Sequence, residues 1–152
     1  MDILVVVDMQ NDFVSGALGT PEAGDIVPYV VGRVVDGLNR GETVLFTRDT
    51  HGPDYLETQE GKKLPVPHCV RGTEGWEIIP QLQEYAANPI DKPTFGSRDL
   101  GALLKARDED LRRQGKPGVE KVTLIGVCTD ICVLSNALVV KAFLPEAEIF
   151  VD

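Results

Sequence analysis

The chain is sparing with histidine, cysteine and positive charge: it has two His and three Cys in 152 residues, and 15 Lys and Arg against 24 Asp and Glu. Three cysteines cannot all pair within one chain, so no disulfide framework is expected and a reducing cytoplasm is the default compartment. A formal net charge of −9 speaks against nucleic-acid binding, which needs a basic patch, and favours solubility instead. No apolar stretch approaches the length of a membrane span, and Met1-Asp2-Ile3-Leu4 begins a strand rather than a signal peptide. Neither Gly-x-Gly-x-x-Gly nor a Walker-type loop occurs, so nucleotide phosphates have no evident cradle. Repeats, low-complexity tracts and interdomain linkers are absent too. A single domain over residues 1–152 is the expectation.

What is present is an alternation of short β-branched runs and helical stretches. Ile3 to Val7 is a continuous apolar strand ending at Asp8, and Thr43 to Thr47 is a second, ending at Arg48-Asp49. Between them Ile26, Val27, Val30, Val31, Val34, Val35 and Leu38 recur at helical spacing. A long loop with Gly and Pro runs to about Gly72, and a short helix is predicted from Trp76 to Tyr85. Asn88 to Lys92 is a weaker strand stopped by Pro93; Leu100 to Gln114 suits a surface helix with Leu100, Leu103, Leu104 and Leu111 inward. Val122 to Ile125 is the central buried strand, a helix follows from about Asp130 to Phe143, and Glu148 to Val151 reads as a last strand. Strands apolar on both faces, each followed by a helix, predict a three-layer α/β/α fold on a central parallel sheet. Chemistry gathers at the carboxyl ends of such strands. Asp8, Asp49, Lys92 and the turn Cys128–Cys132 all fall there.

Residues Gly126-Val127-Cys128-Thr129-Asp130-Ile131-Cys132-Val133 describe a strand breaking into a turn, with Cys132 where the next helix begins. A thiol there feels the positive helix terminus, which favours the thiolate, the form that attacks carbonyls. Taken alone, Cys132 reads as a small apolar residue on a buried helix face; the company of the other strand-end residues turns it into a candidate nucleophile. Cys128 and Cys132 without a second Cys or His pair are a weak zinc signal. Cys128 is expected to pack inside and lend its backbone N–H. Asp8 either caps a turn or serves as a base whose proton affinity is raised by apolar neighbours. Lys92 by itself is a solvated lysine. Trp76, Phe13, Tyr55 and Phe95 are candidates for an aromatic pocket, although Trp76 is better placed as the core anchor of its helix.

The segments Val7-Asp8-Met9-Gln10-Asn11-Asp12-Phe13, Asp91-Lys92-Pro93-Thr94-Phe95-Gly96-Ser97 and 126–133 together resemble the isochorismatase-like and nicotinamidase superfamily of cysteine hydrolases. The likeness runs from Ile3 to about Phe143. It implies a Cys132–Lys92–Asp8 triad on a six-stranded parallel sheet, with a cis peptide before Cys128. It also implies an oxyanion hole from the Cys128 and Cys132 N–H groups, and Phe13 and Gln10 in the substrate pocket. The implied activity is hydrolysis of a small-molecule amide through a Cys thioester, with nicotinamide as first choice. Two other readings remain within the fold: a carbamoyl or ureido amidase, and a hydrolase of isochorismate-like vinyl ethers, a branch that generally lacks the cysteine. A third is a non-catalytic assembly protein. Family members usually continue past the strand at 148–152 with a helix, so the domain is expected to be short at its C-terminus, and a homo-oligomer is expected.

Both histidines lie in the loop 48–72. Arg48-Asp49-Thr50-His51 and Leu64-Pro65-Val66-Pro67-His68-Cys69 are similar to the two metal-binding segments of the metal-dependent nicotinamidases, where the ion holds the pyridine nitrogen of the substrate. The resemblance implies Asp49, His51 and His68 as ligands, with Glu60 completing the set and Glu57 as the alternative. Imidazole and carboxylate together suit Zn, Mn or Fe better than Ca. Two exposed or structural histidines are the competing reading. A Cys–His dyad would have to draw its base from this same pair, which disfavours it.

Overall fold

A computed structural model describes residues 1–152. Its centre is β1 (Asp2–Val7), whose five aliphatic residues are all buried. β2 (Thr43–Asp49) and β3 (Ile90–Lys92) extend the sheet on one side; β4 (Lys121–Gly126) and β5 (Glu148–Val151) extend it on the other. All pairs are parallel, in the order β3-β2-β1-β4-β5. Five strands thus stand where the resemblance implied six.

Alternate residues of β1 serve two different cores, as the two-residue period of a strand requires. Leu4 and Val6 pack with Phe46 beneath Val27, Val30 and Val34 of α3 (Val27–Asn39), which follows the short α1 (Asn11–Val14) and α2 (Pro21–Asp25). The loop after β2 carries α4 (Gln59–Lys63). On the opposite face Ile3, Val5 and Val7 meet Leu100 and Leu104 of α5 (Arg98–Arg113) and Val140 of α6 (Leu134–Phe143). Helices on both faces of an all-parallel sheet give the three-layer architecture read from the sequence. No helix is long and apolar enough to cross a membrane.

Three local expectations give way. The stretch from Trp76 to Tyr85 forms two 3-10 turns, Glu74–Trp76 and Pro80–Tyr85. Pro80 has no N–H to continue a helix and holds Ile79 extended. Leu103 points outward, because Gly101 takes the inward place, where a Cβ would run into the Phe143 ring. The helix expected from Asp130 starts instead as a π-turn, Thr129–Val133, and becomes α-helical at Leu134.

Register then builds the site. Val7 lies opposite both Thr47 and Gly126, and Asp49 lies opposite Lys92. Asp8, Asp49, Lys92 and the turn after Gly126 therefore share one edge of the sheet. Gly126 has φ +124, and a Cβ there would run into the Val7 carbonyl. Only glycine lets β4 leave the sheet at this point.

Candidate active site

Lys92 is fully buried, and its ammonium is the hub of the site. Nζ lies 2.7 Å from Asp8 Oδ2 and 3.2 Å from Asp49 Oδ1. It also donates to the Thr94 carbonyl at 3.3 Å and reaches Cys132 Sγ at 3.5 Å. Asp8 is equally buried, with φ +52, a left-handed backbone that Asp tolerates better than most residues. Its Oδ1 accepts from Thr47 Oγ1 at 2.7 Å. Its Oδ2 touches Lys92 as an ion pair but has no well-aligned hydrogen bond, so an acceptor site is left open on the carboxylate.

Electrostatics follow from burial. Burial pushes the Asp8 carboxyl above the usual carboxylate range, against the pull of Lys92. Burial works against the Lys92 charge as well, yet the Asp8 and Asp49 carboxylates outweigh it and hold the ammonium firmly protonated. The Cys132 thiol is pushed up by burial and then by the Asp8 charge, with Lys92 opposing both. The pull of a helix terminus toward the thiolate is therefore set against burial, with the Lys92 ammonium on the same side as the terminus. Burial opposes the thiolate that Lys92 favours, and the terminus is a π-turn rather than a regular first turn. What the arrangement offers is a thiol beside a carboxylate of raised proton affinity and a fixed cation. Such a set can pass a proton from sulfur to oxygen and hold the resulting thiolate.

The peptide between Val127 and Cys128 is cis, in agreement with the resemblance. Cys128 itself is exposed rather than packed inside. The strand's exit at Gly126 and the π-turn swing its side chain outward, to the wall of a cavity of about 250 Å³ shared with Phe13, Leu18, Ile26, Val127 and Thr129. That volume lies below the ~300–1,000 Å³ of pockets for drug-sized ligands, and so fits a small molecule. A wider groove of about 580 Å³, lined by Asn11, Asp12, Glu74 and Gln81, includes no residue of the cysteine turn. Phe13 is thus a lining residue of the smaller cavity, whose walls include Cys128 but not Asp8, Lys92 or Cys132.

Gln10 is not. It is fully buried, with Nε2 donating to the Asp49 and Trp76 carbonyls at 2.8 Å each and Oε1 accepting from the Asp49 N–H at 2.7 Å. Both amide donors and one acceptor site go into clamping the backbone of Asp49 and Trp76. Trp76 does pack against the core, from a 3-10 turn rather than a helix. Its ring lies 3.4 Å from the Arg48 guanidinium and 5.5 Å from that of Arg71, and its Nε1 donates to Thr50 Oγ1. Phe95 is exposed and lines neither of these cavities.

Asp49, His51 and His68 meet beside the hub, each buried, with their ligand atoms within 4.8 Å of one another. Asp49 Oδ2 lies 2.8 Å from His51 Nε2 and 3.6 Å from His68 Nε2, while Oδ1 faces Lys92. The His68 Nδ1 sits 2.8 Å from the Val66 carbonyl. That contact puts the proton on Nδ1 and turns the Nε2 lone pair toward the cluster, the arrangement of metal-binding imidazoles. Glu60 Oε1 is 3.7 Å and 3.9 Å from the two Nε2 atoms, whereas Glu57 is exposed on its own turn. The donor set fits a transition ion, and Glu60 is the better-placed fourth side chain. The His68 imidazole is desolvated, but the Asp49 carboxylate more than compensates and keeps its pKa above the ordinary value.

The two histidines are brought together by a neck in the chain. The His51 N–H donates to the Cys69 carbonyl and the Arg71 N–H to the His51 carbonyl, each at 2.9 Å, forming a parallel bridge between His51 and Val70. Several contributors escaped the sequence reading. Thr47 holds Asp8, and its place opposite Val7 in the sheet register was the signal. Tyr55, an aromatic-pocket candidate from the sequence, was not foreseen in its actual place, buried edge-on to both histidines at 4.7 and 5.0 Å. Asp12 accepts from the Cys69 N–H at 2.8 Å and so fixes the neck; no local pattern announces it.

A family model described as Isochorismatase domain matches residues 2–151. The chain belongs to the isochorismatase family. Among its isochorismatase-family relatives is a nicotinamidase of Escherichia coli, 30% identical, with 89% of this chain covering 74% of that protein. A pyrazinamidase of Pyrococcus horikoshii, solved in complex with zinc, superposes with TM-score 0.72 at 28% identity, over 99% of this chain and 82% of that one. An N-carbamoylsarcosine amidase of Thermoplasma acidophilum gives TM-score 0.73 at 30% identity, over 99% and 80%.

Proposed function

We propose that this isochorismatase-family protein is a cysteine amidohydrolase that converts nicotinamide to nicotinate and ammonia. The observation that carries the proposal is the buried Lys92 ammonium between Asp8 and Cys132, at 2.7 and 3.5 Å. Asp8 takes the Cys132 proton, and the sulfur attacks the amide carbonyl while Lys92 holds its charge. The oxyanion forms against the N–H groups of Cys128 and Cys132. Asp8 then hands its proton to the departing nitrogen, releasing ammonia and leaving a thioester. Water attacks the thioester, Asp8 accepts a water proton, and return of that proton to sulfur regenerates the thiol and frees the carboxylic acid. Two buried carboxylates around a buried lysine are costly to keep, which speaks against a purely structural role for the fold.

Ammonia release from nicotinamide tests this directly, and its pH profile tests the role of Asp8. Asp8 must be ionised to accept the thiol proton, and burial raises its pKa. The acid limb of kcat/KM is therefore expected above the ~3.9 of an ordinary aspartate. An acid limb at or below that value, or no ammonia from nicotinamide, would count against the assignment. A carbamoyl substrate is the second reading, favoured by the likeness to the carbamoylsarcosine amidase. Carbon dioxide appearing with ammonia from a carbamoyl compound would select it.

Asp49, His51, His68 and Glu60 would hold one divalent transition ion, Zn, Mn or Fe. When bound, such an ion supplies a Lewis-acid contact for a ring nitrogen of the substrate and favours nicotinamide over aliphatic ureas. Elemental analysis of untagged protein is expected to find about one equivalent, and His68→Ala to lose most of it. Substoichiometric metal in the parent protein, with activity indifferent to a chelator, would remove the site.

A further inference from the structure

We propose that Asn136 is a positioning residue that holds the lysine-bearing loop against the nucleophile's helix and thereby sets the separation of Lys92 and Cys132. This rests on the reading of Cys132 as nucleophile. Asn136 is fully buried on α6, four residues after Cys132. Its amide nitrogen donates to the Cys132 carbonyl at 2.8 Å and to the Phe95 carbonyl at 3.1 Å, while its oxygen accepts from the Ser97 N–H at 2.9 Å. A buried amide that merely needed partners would find them anywhere. This one bonds only backbone groups, and those groups belong to the two segments that present the reacting side chains.

The loop from Pro93 to Ser97 links β3 to α5, and its Thr94 carbonyl accepts from the Lys92 ammonium. The Phe95 ring is 45% exposed, so packing of that side chain does not anchor the loop. Backbone contact does. A Cβ at Gly96 would stand 2.9 Å from Val139 Cγ2 and 3.1 Å from the Ser135 carbonyl, so the loop lies directly on α6 with no room for a side chain. On the helix side the π-turn departs from the regular i to i+4 ladder. The Asn136 side chain supplies a donor to the Cys132 carbonyl there. One residue thus fixes the backbone of the nucleophile and the loop whose carbonyl steadies the cation.

The test compares Asn136→Ala, Gly96→Ala and the double variant. Gly96→Ala lifts the loop while leaving Asn136 and its donors intact, so it decides the matter even if Asn136→Ala folds poorly. Alkylation of Cys132 by iodoacetamide is followed by mass spectrometry, with the exposed Cys128 on the same molecule as internal reference, alongside melting temperature, kcat and KM. Misplacement by ~1 Å can cost ~100-fold in rate. With Lys92 still tied to Asp8, about a tenfold loss is expected in Cys132 alkylation and in kcat, with KM and Cys128 alkylation little changed. The double variant should be no slower than the slower single variant, because both act through one loop. A lower melting temperature with an unchanged Cys132 to Cys128 ratio overturns the proposal, as does a Gly96→Ala protein that behaves as the parent. Failure of the nucleophile reading itself would show separately, as turnover surviving in Cys132→Ala.

Discussion

Cys132→Ala is expected to lower turnover by at least ~10⁴-fold, the scale on which loss of an activated nucleophile acts. Only the Cys132 sulfur lies beside the Lys92 ammonium, at 3.5 Å; Cys69 is buried in the core and Cys128 lies on the cavity wall. The fold should survive, because the change removes one buried atom from a site held by Asp8, Lys92 and Asn136. Two measurements check it. Ammonia release gives the rate, and acid quenching of the parent enzyme during turnover should trap an acyl adduct on Cys132 that the variant lacks. Near-normal turnover by the variant would reassign the chemistry.

Lys92→Met is expected to fail in both activity and stability. Methionine keeps an unbranched stem, one atom shorter, but leaves Asp8 and Asp49, both buried, without the ammonium that separates them. Breaking a buried ion pair from one side costs about 3–5 kcal/mol. The sign of its pH dependence is fixed. Burial already raises the Asp8 pKa, and loss of Lys92 removes the largest influence lowering it. A carboxyl whose folded pKa lies above its unfolded value favours the folded state below the unfolded pKa and loses that benefit as pH rises through the folded one. The deficit against the parent should thus be largest near neutrality and shrink toward about pH 4, where ordinary carboxyls protonate. Urea unfolding of both proteins across that range measures it. A deficit that does not change with pH would mean that Asp8 stays ionised without its partner.

The sheet and its functional edge were legible because strand signals are local. Ile3 to Val7 announces a strand buried on both faces, and the polar residue after such a run has to emerge at a strand end. Asp8, Asp49, Lys92 and the Cys128–Cys132 turn were placed at one edge that way, the family resemblance implied their roles, and scarcity singled out the two histidines. What stayed hidden depends on contacts between distant segments. Gln10 looks like a pocket residue until Asp49 and Trp76 are seen to consume its amide, and Asn136 looks like any polar residue on a helix. The helix terminus beside Cys132 is visible in sequence, whereas the desolvation that opposes it appears only once the site is closed.

The short bridge between His51 and Val70 has a consequence for how this protein can change. It makes the excursion between them a module tied off at its base, with both imidazoles held at the knot. Residues 52–67 can then be lengthened, shortened or exchanged for another sequence while the knot keeps its shape. Tyr55, Glu60 and the Val66 carbonyl that orients His68 would need to be kept in kind. A graft of this excursion is therefore a direct route to remodelling what reaches the cysteine without disturbing the frame beneath it.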